Sequence, residues 1–191
     1  MFLRFDAAGF RVDRSDQLFS APLKGVRVTT PSPMIDERVR ELGLILPEPF
    51  RSPTSAPYPF SWVRVRGNRA YVSGHLPQQP DGTLAEPRGK VGEALSIAQG
   101  AAAARLVGLA MLGSLQRELG ELERITAWLR VLGMVNVSPG TTQLAGVING
   151  FSELILEVFG PERGAHSRSA VGMAELPFGV AVEIEAEVEI L

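Results

Sequence analysis

The stretch 181-AVEIEAEVEIL-191 alternates without a break. Val182, Ile184, Ala186, Val188 and Ile190 fall on one side of an extended chain, and Glu183, Glu185, Glu187 and Glu189 on the other. This period of two reads as a strand with one apolar and one polar face, hence as part of a sheet covered on one side. Glutamates two apart on one face repel modestly, and the plain reading sends all four to solvent. Just upstream, 166-HSRSAVGMAELP-177 sets small and branched residues behind a single arginine, Arg168, and reads as another strand near 169–175.

Working back along the chain, 142–159 carries Leu144, Val147, Ile148, Phe151, Leu154, Ile155 and Val158 on one helical stripe, and Gly160-Pro161 ends it. The run 124-RITAWLRVLGMVNVS-138 is β-branched and aromatic enough for a strand, although its length also permits a helix. From Ser96 to about Leu119, apolar and small residues repeat at three and four, with Gly120 as the stop. The segment 62-WVRVRGNRAYVSG-74 alternates on either side of Gly67-Asn68, a hairpin signal. The order ββαβαββ predicts an α+β fold, a mixed sheet with two helices on one face.

The rest is less regular. Residues 1–33 lack sustained periodicity and read as a poorly packed arm. Met34 opens a helical pattern over Ile35, Val39 and Leu42, so Met34 is also a candidate natural start. The proline-dense 47-PEPFRSPTSAPYPF-60 reads as an extended connector, giving a helix and connector over 34–60 and a main domain over 61–191. The loop 78–92 contains Gly89-Lys90 without the spacing or the following Ser/Thr of a phosphate loop.

Composition narrows the function classes. Of 191 residues, 45% are hydrophobic and 21% charged, enough for a globular core. The net charge is −2 and the 19 basic residues are dispersed, which argues against nucleic acid as a partner. The chain has no cysteine and only two histidines, His75 and His166, so neither a metal site nor thiol chemistry is expected. No apolar run approaches the length of a membrane span, and the opening residues lack a secretory pattern, so a soluble cytoplasmic protein is expected. Asn136-Val-Ser138 matches the glycosylation triplet by chance on that reading.

From about residue 58 onward the chain resembles the Rid family of reactive-intermediate deaminases, also called YjgF-type proteins. The resemblance rests on 72-VSGHLP-77, the long helix, 131-VLGMVNV-137, 148-INGFSELILEVFG-160, 168-RSAVGMAELP-177 and 182-VEIEA-186 in that order. Together they cover most of the last 130 or so residues. The longer form from Met34, with GKVGE in the loop, resembles a less characterised branch. The resemblance implies a chorismate-mutase-like fold and a homotrimer with sites in clefts between subunits. It also implies cofactor-independent hydrolysis of imines and enamines, such as 2-aminoacrylate, to a keto acid and ammonia.

The same resemblance places the family's arginine on Arg168. A guanidinium presents parallel donors to a carboxylate and is always charged, so it suits a 2-imino acid; the alternative is a structural ion pair at a strand end. The water-orienting glutamate, fifteen residues on, falls on Glu183, with Glu185 ranked second; the alternative is a solvated carboxylate. Gly74 matches a glycine at the cleft, where a backbone must approach a ligand closely, or else it marks a turn or bulge. Asn149 matches a family asparagine, or is a polar-face residue, and Ala170 contributes a backbone N–H. Two positions depart from the pattern. Phe60 stands where active members carry a tyrosine, with Tyr58 two residues away, and His75 stands where a glutamine is common. His75 reads as a hydrogen-bonded surface residue unless it reaches the cleft as a proton donor. The competing function is a non-catalytic trimer that binds a small carboxylate. The ribonuclease label attached to this family fits poorly with a slightly acidic chain.

Overall fold

In the computed structural model, residues 34–54 and 57–191 are described, and the arm expected over 1–33 lies outside them. The elements are α1 (Ile35–Glu41), β1 (Val63–Arg66), β2 (Arg69–His75), α2 (Ile97–Leu119), β3 (Ile125–Asn136), α3 (Leu144–Gly164), β4 (Ser167–Met173) and β5 (Val182–Ile190). The strands form one sheet in the order β1-β2-β5-β3-β4. All neighbours are antiparallel except β3 and β4, which α3 connects in parallel. The expected ββαβαββ order is present, with α1 ahead of it.

Local chemistry sets the helix limits. Ser96 and Gln99 form a reciprocal capping box at the start of α2, and Gly120 caps its end. Gly160, at φ 72°, interrupts α3, and Pro161 begins one last turn. The two helices pack closely because Gly150 has no side chain: a Cβ there would overlap the Ala101 carbonyl, whose carbon would be 2.7 Å away. Both helices are long and apolar enough to cross a membrane by length and composition, contrary to the expectation from the sequence. Here their apolar stripes instead bury Met111, Leu112, Leu115, Phe151, Leu154 and Ile155 against the sheet and each other.

The core lies between helices and sheet, and Val182, Ile184, Val188 and Ile190 of β5 all face it. The ambiguous 124–138 run is strand, with Trp128, Val131 and Val135 turned to the helices. The far face is not bare. Loops around Leu76, Leu176 and Val180 build a small second core there, with Phe50, Leu84, Met134 and Met173 packed on it. What stays open is a groove of about 660 Å³ lined by Phe60, Arg64, Tyr71, Arg130, Leu132 and Glu185, among others. Two glutamates expected in solvent have partners: Glu187 pairs with Arg69, and Glu189 accepts from Thr126 Oγ1 at 2.7 Å.

The residues after Met34 are part of this unit. Asp36 accepts from the Leu122 N–H at 2.9 Å and from Gln116 Nε2 at 2.6 Å, while Glu123 accepts from the Ile35 N–H at 2.9 Å and Arg163 at 2.7 Å. Asn136 is buried, accepting from Lys90 Nζ at 2.9 Å and donating to the Val180 carbonyl, so its glycosylation triplet is inaccessible. Lys90 also pairs with Glu175 at 3.0 Å, a structural strap in place of a phosphate loop.

Candidate functional site

Arg168 lies on edge strand β4, in register with the core residue Val131, so its side chain runs along the helix-facing side. On α3, Ala145, Asn149 and Ser152 fall at i, i+4 and i+7, one polar flank beside that strand. The guanidinium donates to Asn149 Oδ1 at 2.6 Å, Ser152 Oγ at 2.9 Å and the Ala145 carbonyl at 3.3 Å. Three of its five N–H donors are engaged, leaving two for a ligand.

Ser152 is held in turn. His166 Nδ1 lies 2.7 Å from the Gly164 carbonyl, which can only accept, so this nitrogen carries the proton. His166 Nε2 then accepts the Ser152 O–H at 2.9 Å, and the Ser152 oxygen is left to accept from Arg168. Burial, seconded by the Arg168 charge, lowers the His166 pKa against the opposing Gly164 bond, which favours the neutral ring this chain of bonds requires. Sequence reasoning missed Ser152 and His166. Their signals were a serine three residues after Asn149 and a histidine two before Arg168.

Glu183 occupies the other face. The regular pairing of Val131 with Ala186 and of Met134 with Glu183 puts Glu183 opposite to the side on which Arg168 lies. Burial pushes its pKa above the usual carboxylate range, and the neighbouring Glu185 adds to this. A Cβ on Gly74 would overlap the Glu183 carboxylate, its Cδ 2.9 Å away, so the glycine admits this side chain. The sequence-derived residues thus form two pairs, Arg168 with Asn149 and Glu183 with Gly74, separated by the sheet within one chain. Ala170, paired with Gly133, packs its side chain at the margin of the main core. Phe60 is 49% exposed on the groove that Glu185 also lines. The Tyr58 hydroxyl donates to Ser52 Oγ at 2.9 Å.

His75 corrects the reading as a surface residue. Val72 faces Ala186 but His75 faces Ile184, so β2 holds one residue more than β5 over this step, a bulge at Ser73-Gly74. The bulge reverses the alternation, turning Gly74 toward Glu183 and His75 into the interior. His75 is 1% exposed, with Nδ1 2.7 Å from the Ser73 carbonyl and Nε2 2.8 Å from Ser114 Oγ on α2. Burial lowers its pKa to about 4. Among the described residues, no cluster of three His, Asp or Glu side chains could hold a metal ion.

Two helices on one face of this mixed sheet define the chorismate-mutase-like class of α+β proteins. The chain belongs to the YjgF/Rid family: the family described as "YjgF/chorismate_mutase-like, putative endoribonuclease" matches residues 36–183. It is similar to the protein TCP17 of Trypanosoma cruzi, 44% identical over 124 residues, 65% of this chain and 76% of that one. Among solved structures it is similar to Atu1372 of Agrobacterium tumefaciens, a protein of unknown function. Identity there is 37% and the TM-score 0.73, over 83% of this chain and 93% of the other. A "putative endoribonuclease" of Shewanella oneidensis is similar at 29% identity and TM-score 0.74, over 82% and 99% of the two chains.

Proposed function

We propose that this protein hydrolyses 2-imino acids and their enamine tautomers to 2-keto acids and ammonia, as a cytoplasmic homotrimer with sites between subunits. The observation that carries the reading is Arg168, fixed on three sides with two donors unengaged. Those donors would take the substrate carboxylate and place the imine carbon. Water adds to that carbon and a proton reaches nitrogen. Collapse of the resulting carbinolamine then breaks the C–N bond, giving a carbonyl and ammonia. Glu183, whose raised pKa lets it exchange a proton nearer neutrality, would orient the water, remove its proton and return it to the leaving nitrogen. Arg168 and Glu183 lie on opposite faces of one sheet, so a site using both takes them from two copies of the chain.

A second reading, a carboxylate-binding trimer without turnover, draws support from Phe60, which offers no hydroxyl, and from the inward turn of His75. Ribonuclease activity has no support in the acidic composition of the chain. The test generates 2-imino acids in situ with an amino-acid oxidase and follows keto-acid release. Acceleration by the wild type but not by Arg168→Ala supports hydrolysis. Saturable 2-keto-acid binding without acceleration selects the second reading, and equal acceleration by both proteins removes Arg168 from the site.

A further inference from the structure

The arrangement that holds Arg168 is built a second time. Both histidines of the chain bind a backbone carbonyl two residues back through Nδ1, and each receives a serine hydroxyl at Nε2. In both cases the serine oxygen accepts from an arginine. In the second device the series is Arg117 to Ser114 to His75, with Arg117 Nη2 3.2 Å from Ser114 Oγ. Arg117 Nη1 donates to the Pro47 carbonyl at 2.8 Å, so three guanidinium donors remain. No carboxylate of the described residues lies within 4 Å of it, whereas Arg69, Arg105 and Arg163 are each paired with a glutamate. Partial burial lowers the Arg117 pKa, opposed by the attraction of the Glu48 charge.

Arg117 lines a pocket of about 420 Å³ between the connector, the hairpin and α2, a volume in the range of small-molecule sites. Phe50, Phe60 and Trp62 form its apolar wall, with Trp62 5.7 Å from the Phe50 ring and 5.2 Å from the Phe60 ring. Gln78, 3% exposed, also lines it, and its amide oxygen has no partner among the described residues. One acidic side chain, Glu118, lies at the margin.

We propose that this pocket is a second ligand site, for a small monocarboxylate bearing an aromatic or bulky apolar group. The carboxylate pairs with Arg117 and the apolar body covers Phe50, Phe60 and Trp62. The neutral His75 ring accepts the Ser114 O–H at Nε2, which leaves the Ser114 oxygen to accept from Arg117 and hold it in place for the ligand. The inference stands on the geometry around Arg117 and does not depend on what Arg168 binds.

Phenylacetate is the probe. The chain has two tryptophans, and Trp128 is buried in the main core, so a fluorescence change on titration reports Trp62. Saturation with a Kd on the order of 1 mM is expected for a ligand of this size. Arg117→Gln should weaken binding at least about tenfold by removing a charge-assisted contact, with thermal unfolding confirming that the variant folds. Glu118→Lys, a change at an exposed helix position, should tighten binding about threefold. Arg168→Ala should leave it unchanged. The proposal is overturned by no saturation below about 10 mM, by binding lost in Arg168→Ala yet kept in Arg117→Gln, or by phenylethylamine binding as well as phenylacetate. None of these outcomes bears on keto-acid release, so this site and the hydrolase reading fail separately.

Discussion

His75 ties stability to pH. Its folded pKa of about 4 lies below the ordinary 6.5 of an unfolded chain, so between these values the unfolded state binds the extra proton. Stability is therefore complete above the unfolded pKa and is lost as pH falls toward the folded one. With those two values the loss relative to neutral pH is about 2 kcal/mol at pH 5 and about 3 kcal/mol at pH 4. Denaturant unfolding at fixed protein concentration measures it, with His75→Gln as reference. The wild type's advantage over the variant should shrink by about 2 kcal/mol between pH 7 and pH 5. Proton NMR gives a direct check, since only two imidazoles contribute. The reasoning is refuted if neither ring resonance remains untitrated at pH 5.5, or if wild type and variant lose stability in parallel.

Gly74→Ala should displace the Glu183 carboxylate while leaving the fold intact, lowering imine turnover on the order of a hundredfold with a stability change under about 1 kcal/mol; unchanged turnover would dissociate Glu183 from the reaction. Turnover should rise with pH through a midpoint above the usual carboxylate range, because burial raises the Glu183 pKa and the base works deprotonated. In Glu183→Gln that limb should disappear from the pH–rate profile. Gly150→Ala meets backbone rather than a flexible side chain, and calorimetry should show a loss of about 2 kcal/mol, or about 5 °C in Tm. Asp36→Ala strands the Leu122 N–H and should cost about 2 kcal/mol, with faster amide exchange at Leu122.

The regular elements were legible because their periods are long and unbroken. The alternation of 182–190 gave both faces of β5, and the stripe from Leu144 to Val158 gave the packed face of α3. Arg168 and Asn149 were legible as candidates and do meet, but the sequence did not say on which side. The small residues of β4 favour neither face, so the helix-facing side was fixed only by pairing with β3. His75 was misread as a surface residue because no local pattern marks the inserted residue that turns it inward. Ser152 and His166 were missed because they act through Arg168, and polar side chains at a helix flank look alike whether solvated or bonded. The anchoring of α1 by Asp36 and Glu123 joins residues more than eighty positions apart, beyond any local pattern.

The bulge at Ser73-Gly74 has a bearing on how this strand can diverge. Removing Ser73 would leave plain alternation in its place: Gly74 would oppose Glu185, and His75 would still oppose Ile184 with its imidazole in the interior. What would invert the segment is loss of the bulge at unchanged length, which turns His75 out to the groove and Gly74 into the interior. Length can therefore shrink by one residue between Val72 and His75 without changing the side that any later residue faces.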